Sequence, residues 1–370
     1  MNEHAWWLSM EPLGDDVVWA LTLVVDGQAP DGPVDAGLLP RMGFVRRLVT
    51  DALPTSEQLA ERSWSGALSS RGSECDLAVV LGRRLLPRAL RDALLARPAG
   101  RHTVSVAVRG WLARVPWDAV AVDDRGDRRL VECATVVAGL PATLQVGRSR
   151  LPDAGADGPV LRIVDPGPET HGRLCPRGVG PWWELCDDAE VIHPQRGRFG
   201  VAALSRQLTD GRPSRLVYYG HAEPGTDDAP AAAGLVLTGP GRAAELFTAF
   251  RWLAEPERFP APPRIALIAC GSDDSAGFEQ SGMPVAAINA GAGLVTATRW
   301  MLPVDRTRPD TCPTRALGMA VDDAHGSPDP LAALGEWQRA RLAAWRAHGA
   351  VEDVPLLWAS LVTYLAPDAG

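Results

Sequence analysis

The second half of this chain alternates short, nearly all-apolar runs with helical patterns, and that alternation limits the fold more than any other feature. Residues 160–164, 215–219, 264–269 and 293–300 read as buried strands. Residues 199–208, ending near Gly211, and the small-residue stretch 283–290 read as helices between them. Parallel strands need crossovers, and helices are the usual ones. The expected fold class is therefore α/β, a mostly parallel sheet with helices on both faces. Ser327 followed by Pro328 predicts the cap and first residue of a long helix. Its apolar stripe is Leu331, Leu334, Trp337, Leu342 and Trp345, and Gly349 ends it. Residues 357–365 read as a final strand.

The first half is also α/β in pattern. Strands are expected at 17–25, 76–81, 103–109 and 129–140, and a helix at 83–97 with Pro87 early in it. In 103–109, Val104, Val106 and Val108 share one face. Residues 150–159 are rich in Pro, Gly and Asp, so the domain boundary is placed there, giving 1–150 and 151–370.

Composition removes several function classes. Hydrophobic residues are 46% and charged residues 22%, which excludes wholesale disorder. The net charge is -8, with no basic run, so nucleic acid is not an expected direct ligand. No apolar run reaches membrane-spanning length and the start lacks a signal-peptide pattern, so a cytoplasmic protein without membrane association is expected. Every basic residue is Arg, which points to a high-GC bacterial genome. The six cysteines are scattered and read as reduced thiols. Gly291-Ala292-Gly293 precedes a strand, the wrong context for a nucleotide loop, and no cofactor is expected.

Two strand ends carry the chemistry. One reads Tyr218-Tyr219-Gly220-His221-Ala222 and the other Ile268-Ala269-Cys270-Gly271-Ser272. Each delivers a reactive side chain at the carboxyl end of a strand, where open parallel sheets bind ligands. A thiol is mostly protonated at neutral pH, and an imidazole can generate the thiolate or protonate a leaving amine. The N–H groups of Ala222 and Cys270 are candidate oxyanion donors. Taken singly, a strand-end Cys is often core and a His after a strand often a loop residue.

The ordered motifs resemble those of clan CD cysteine peptidases, relatives of caspases and separase, and most closely the CHAT domain. Val115-Pro116-Trp117-Asp118 is similar to that family's Leu-Pro-Trp-Glu segment, Tyr219-Gly220-His221 to its histidine motif, and Ala269-Cys270-Gly271-Ser272 to its cysteine motif. Residues 234–237, 291–300, 327–337 and 358–361 fit its later segments in order. The resemblance implies an inactive caspase-like N-terminal half and a catalytic C-terminal half. His221 would be the general acid/base and Cys270 the nucleophile of a peptide-bond hydrolysis. It further implies a protein substrate, a separately supplied activating sensor or partner, and a role in bacterial signalling or antiviral defence. Ala222 stands where the family has Gly, a residue suited to a positive-φ turn.

Candidate substrate-pocket residues are Asp273, Asp274, Arg299, Trp300 and Asp305, with fully solvated charges as the alternative for the four ionic ones. His171, Cys175, Cys186 and His193 lie in one stretch, but their spacing does not fit common zinc motifs, and a Pro- and Gly-rich loop is expected. Two other functions compete with the protease. One is a binding scaffold with an unused dyad, and the other a thiol hydrolase of a small acyl substrate.

Overall fold

The computed structural model describes residues 4–25, 32–54, 63–96, 102–140, 158–168, 171, 174, 191–192, 199–225, 230–269, 282–303, 305 and 308–366. The chain divides into two compact units, Met1–Gly139 with Gly335–Ser360, and Leu140–Leu334 with Leu361–Gly370.

In the first unit, β1 (His4–Leu13), β2 (Asp16–Val25), β3 (Asp35–Leu39), β4 (His102–Val108) and β5 (Thr135–Ala138) lie in the order β3-β2-β1-β4-β5. The hairpin β1–β2 turns through two residues, the first of which, Gly14, has φ 64°. Positive φ there matches the twist of an antiparallel pair. β1, β4 and β5 run parallel. β4 alternates buried and half-buried positions, as its period of two predicts.

Several sequence expectations fail in this unit. Residues 76–81 are not a strand but the middle of the helix Arg71–Leu85, which buries Leu77, Ala78, Leu81 and Leu85. A short apolar run has no period of its own, and here the flanking residues extend it in helical phase. The helix expected at 83–97 is two: one stops at Leu85, and another runs Arg88–Leu95 after Pro87. Proline's missing N–H and its restriction of Leu86 explain the break. Residues 129–140 begin with a short helix, Leu130–Cys133, before β5. β1 and β3 were not expected from sequence.

The second unit matches expectation more closely. β6 (Val160–Val164), β7 (Val191–Ile192), β8 (Arg215–Gly220), β12 (Arg264–Ala269), β13 (Leu294–Thr298) and β14 (Leu361–Leu365) form a sheet in the order β14-β13-β12-β8-β6-β7. Its neighbours run parallel except for β14. A smaller sheet holds β9 (Ala222–Glu223), β10 (Gly234–Thr238) and β11 (Ala244–Thr248). The helices Val201–Asp210 and Met283–Asn289 sit where the sequence put them. Residues 357–365 divide into the last turn of a short helix, Pro355–Trp358, and β14.

The helix Pro313–Gly326 was not expected, and it displaces the predicted cap of the next helix. Ser327 Oγ donates to the Ala324 carbonyl at 2.8 Å, closing the first helix. The next helix, Pro330–His348, starts three residues later, where Asp329 Oδ1 accepts from the Ala332 N–H at 3.0 Å. Gly349 then takes φ 69° and ends it. Among the described residues, no helix is long and apolar enough to cross a membrane.

Candidate active site

β8 is buried at all six positions, so its sequence is apolar apart from Arg215. It runs parallel to β12, with Gly220 level with Ala269. His221 is the next residue after Gly220, and position 270 the next after Ala269. Cys270 itself lies outside the described residues, as do Asp273 and Asp274.

The backbone at His221 is fixed from two directions. Its carbonyl accepts the Tyr218 hydroxyl at 2.7 Å and the Val236 N–H at 3.0 Å. The same Tyr218 hydroxyl is 2.8 Å from the Val236 carbonyl, tying β8 to β10. This geometry explains the glycine before the histidine. A Cβ on residue 220 would come within 2.6 Å of the Tyr218 ring and hydroxyl. Only glycine leaves room for Tyr218 to reach past it to His221.

Ala222 does not occupy the strained turn expected of the family's glycine. It is the first residue of β9, extended, opposite Leu235 of β10. Positive φ occurs at five described non-glycine residues, and Ala222 is not one of them. Because the Val236 N–H donates to the carbonyl of its neighbour His221, Ala222 falls at the alternate position, where the N–H points away from the partner strand. Its Cβ therefore costs nothing in backbone conformation.

Other strand ends meet the same edge of the sheet. Asp165 follows β6, is buried, and has φ 49°. Its N–H donates to the Tyr219 carbonyl at 2.6 Å, and its Oδ2 accepts from the Leu174 N–H at 3.3 Å. A non-glycine residue at positive φ is uncommon and collects at functional sites. Asp165 escaped the sequence reading, although a strand followed by Asp165-Pro166-Gly167 carries the same strand-end signal as His221. His171 also approaches, its ring centroid 5.9 Å from that of His221 and its Nε2 3.4 Å from Glu223 Oε1. The other three zinc candidates, Cys175, Cys186 and His193, lie outside the described residues.

Beyond β13, Arg299 and Trp300 are both buried, and Asp305 is 0% exposed. The expectation of fully solvated charges is therefore wrong for Arg299 and Asp305. Asp305 is committed to the helix Pro313–Gly326: its Oδ1 accepts from Thr314 N–H and its Oδ2 from Arg315 N–H, both at 2.8 Å. Those amides have no partner within the helix, so the carboxylate satisfies them. Burial still pushes the Asp305 carboxyl above the usual range, against the pull of these bonds. Thr298 Oγ1, at the end of β13, donates to the Ala269 carbonyl. That bond holds the last described residue before position 270.

Comparison with protein-family models finds no match, and comparison with curated proteins finds none either. Among solved structures, the chain is similar to the separase–securin complex of Saccharomyces cerevisiae. The TM-score is 0.41 at 11% identity, covering 72% of this chain. The matched part spans 16% of that chain.

Two of the described cysteines, Cys133 and Cys312, offer little nucleophilic character. Burial pushes the thiols of Cys133 and Cys312 up, away from the thiolate form that attacks carbonyls. Cys312 Sγ also lies 3.1 Å from the Pro309 carbonyl.

Proposed function

We propose that the second unit is a cysteine endopeptidase in which His221 and Cys270 act as the catalytic pair. The observation that carries this reading is the register of β8 and β12. Gly220 and Ala269 are level at the carboxyl edge of two adjacent parallel strands, and one reactive residue follows each in the chain. That edge is where ligands of such sheets bind. The order of motifs, similar to that of the CHAT domain, supplies the reaction class.

In this reading, the Cys270 thiolate attacks the scissile carbonyl and the amides of Ala222 and Cys270 receive the oxyanion. His221 gives its proton to the departing amine as the C–N bond breaks, leaving a thioester. Water, deprotonated by His221, then releases the acid and restores the thiol. The extended, outward-facing Ala222 N–H supports its assigned role. It also removes the main motive for a silent scaffold, which was the Cβ at that position. Arg299 and Trp300 stay candidates for the substrate pocket, whereas Asp305 is better explained as a loop anchor. The regulated, partner-activated role in bacterial signalling or defence comes from the family resemblance alone.

The test compares new protein N-termini in cells expressing wild type, Cys270→Ala and His221→Ala at matched levels, with and without the products of neighbouring genes. Wild type should yield cuts sharing one P1 residue, and each variant should lose about a thousandfold in cleavage. Cuts that persist in Cys270→Ala would overturn the assignment.

A further inference from the structure

β3 is the terminal strand of the first unit's sheet, and among the described residues it pairs only with β2. Its residues Asp35, Ala36 and Leu38 are exposed, as are residues 32–34 before it. The antiparallel strands β1, β2 and β3 have two unlike faces. Val17 and Leu21 point into the core at 0% exposure, whereas the next residue along, Val18, is 44% exposed. Val18 lies opposite Leu38, itself 53% exposed, and Leu13 on the same face is 64% exposed. Val34 just before β3 is also more than half exposed, as is Phe44 in the first turn of the following helix, Gly43–Ala52. Five of the eight large apolar side chains left exposed among the described residues thus fall between positions 13 and 44. Scattered exposed apolar groups need no explanation, but a cluster beside an open strand edge does.

We propose that this edge pairs with the same edge of a second copy of the chain, β3 against β3 in antiparallel sense about a two-fold axis. The charge pattern selects that occupant. Exposed Asp35 opens β3, and exposed Arg41 follows its end. A two-fold axis near Gly37 brings Asp35 of each copy to the end of the strand where Arg41 of the other lies, making the same contact twice. An isologous interface demands such self-complementarity. Ala36 and Leu38 then oppose each other across the new pair, joining the apolar faces of the two sheets. Pro33 and Pro40 bracket the strand and confine the pairing to the residues between them. The proposal does not depend on the peptidase reading.

Sedimentation velocity over a concentration series tests it, with thermal melts by circular dichroism as a fold control. Wild type should reach twice the chain mass of 39.4 kDa. Leu38→Glu, on an exposed side chain, should shift the protein to monomer with an unchanged melt. Asp35→Arg or Arg41→Asp alone should each raise the dissociation constant by roughly tenfold, and the two together should restore it. A monomer at every concentration overturns the proposal. So does a Leu38→Glu protein that dimerises as wild type does, or a double charge reversal no tighter than either single one.

Discussion

His325 sits near the end of the helix Pro313–Gly326, fully buried, its Nε2 2.8 Å from Thr296 Oγ1. Thr296 in turn lies 3.1 Å from Thr363 Oγ1 on the neighbouring strand β14. Burial, followed by the charges of Arg215 and Arg264, pushes the imidazole down to about 3. In the unfolded chain it titrates near the ordinary value of about 6.5. Between those values the unfolded state binds the proton and the folded state does not, so stability falls as pH falls through that window. His325→Gln should be less stable at pH 7 by about 1–2 kcal/mol, having lost a buried hydrogen bond. That gap should narrow by about 1.4 kcal/mol for each pH unit below 6.5, as read from urea midpoints. A gap independent of pH would show that His325 is not buried neutral. At this scale the sequence was most informative where a residue ends an apolar strand. His221 was legible for that reason, and Asp165 should have been. The demand for glycine at 220 was hidden, because it comes from Tyr218 reaching over it to β10.

Helix ends show where local signals mislead. Ser327-Pro328 and Asp329-Pro330 are both plausible cap and N1 pairs, and they lie two residues apart. The choice fell to Asp329 because the preceding helix continues to Gly326 and claims the Ser327 hydroxyl. Asp329→Ala should therefore cost about 1 kcal/mol, lowering the melting temperature by about 2–4 °C. Ser327→Ala should cost less, and the reverse order in a thermal melt would mean the cap is assigned to the wrong residue. The C-terminal end of that preceding helix is held by three arginines on one face of the sheet. Arg162 Nε is 2.7 Å from Asp322 Oδ2, and an Arg215 Nη1 N–H donates to the Asp322 carbonyl at 3.2 Å. Arg264 Nη1 donates to the carbonyls of His325 and Ser327 at 3.0 and 2.7 Å. Cations at a helix C-terminus meet its unsatisfied carbonyls and its negative pole. No sequence pattern announces this cluster, since its members come from three strands and a helix.

The first unit is completed by residues from the far end of the chain. Residues 335–360 contribute Leu342, Trp345 and Trp358 to its core. Arg346 Nη1 pairs with Glu132 Oε1 at 2.7 Å, and Arg339 Nη1 donates to the Val131 carbonyl at 3.4 Å. A fragment of residues 1–150 should therefore fail to melt cooperatively by circular dichroism, and adding residues 335–360 by a tether should restore the transition. A cooperative melt of the short fragment alone would show that the returning segment is dispensable. By itself, the sequence determined the class of the fold, the five strands β6, β8, β12, β13 and β14 of the second unit and the strand-end position of His221. Those features rest on the period of apolar residues and on breakers beside them, which are local properties of the chain. Only the tertiary structure decided that Ala222 is extended, that Asp305 anchors a helix, and that residues 335–360 belong with the first unit. Each of those outcomes depends on which distant groups pack or hydrogen-bond together, and no local pattern encodes the identity of a distant partner.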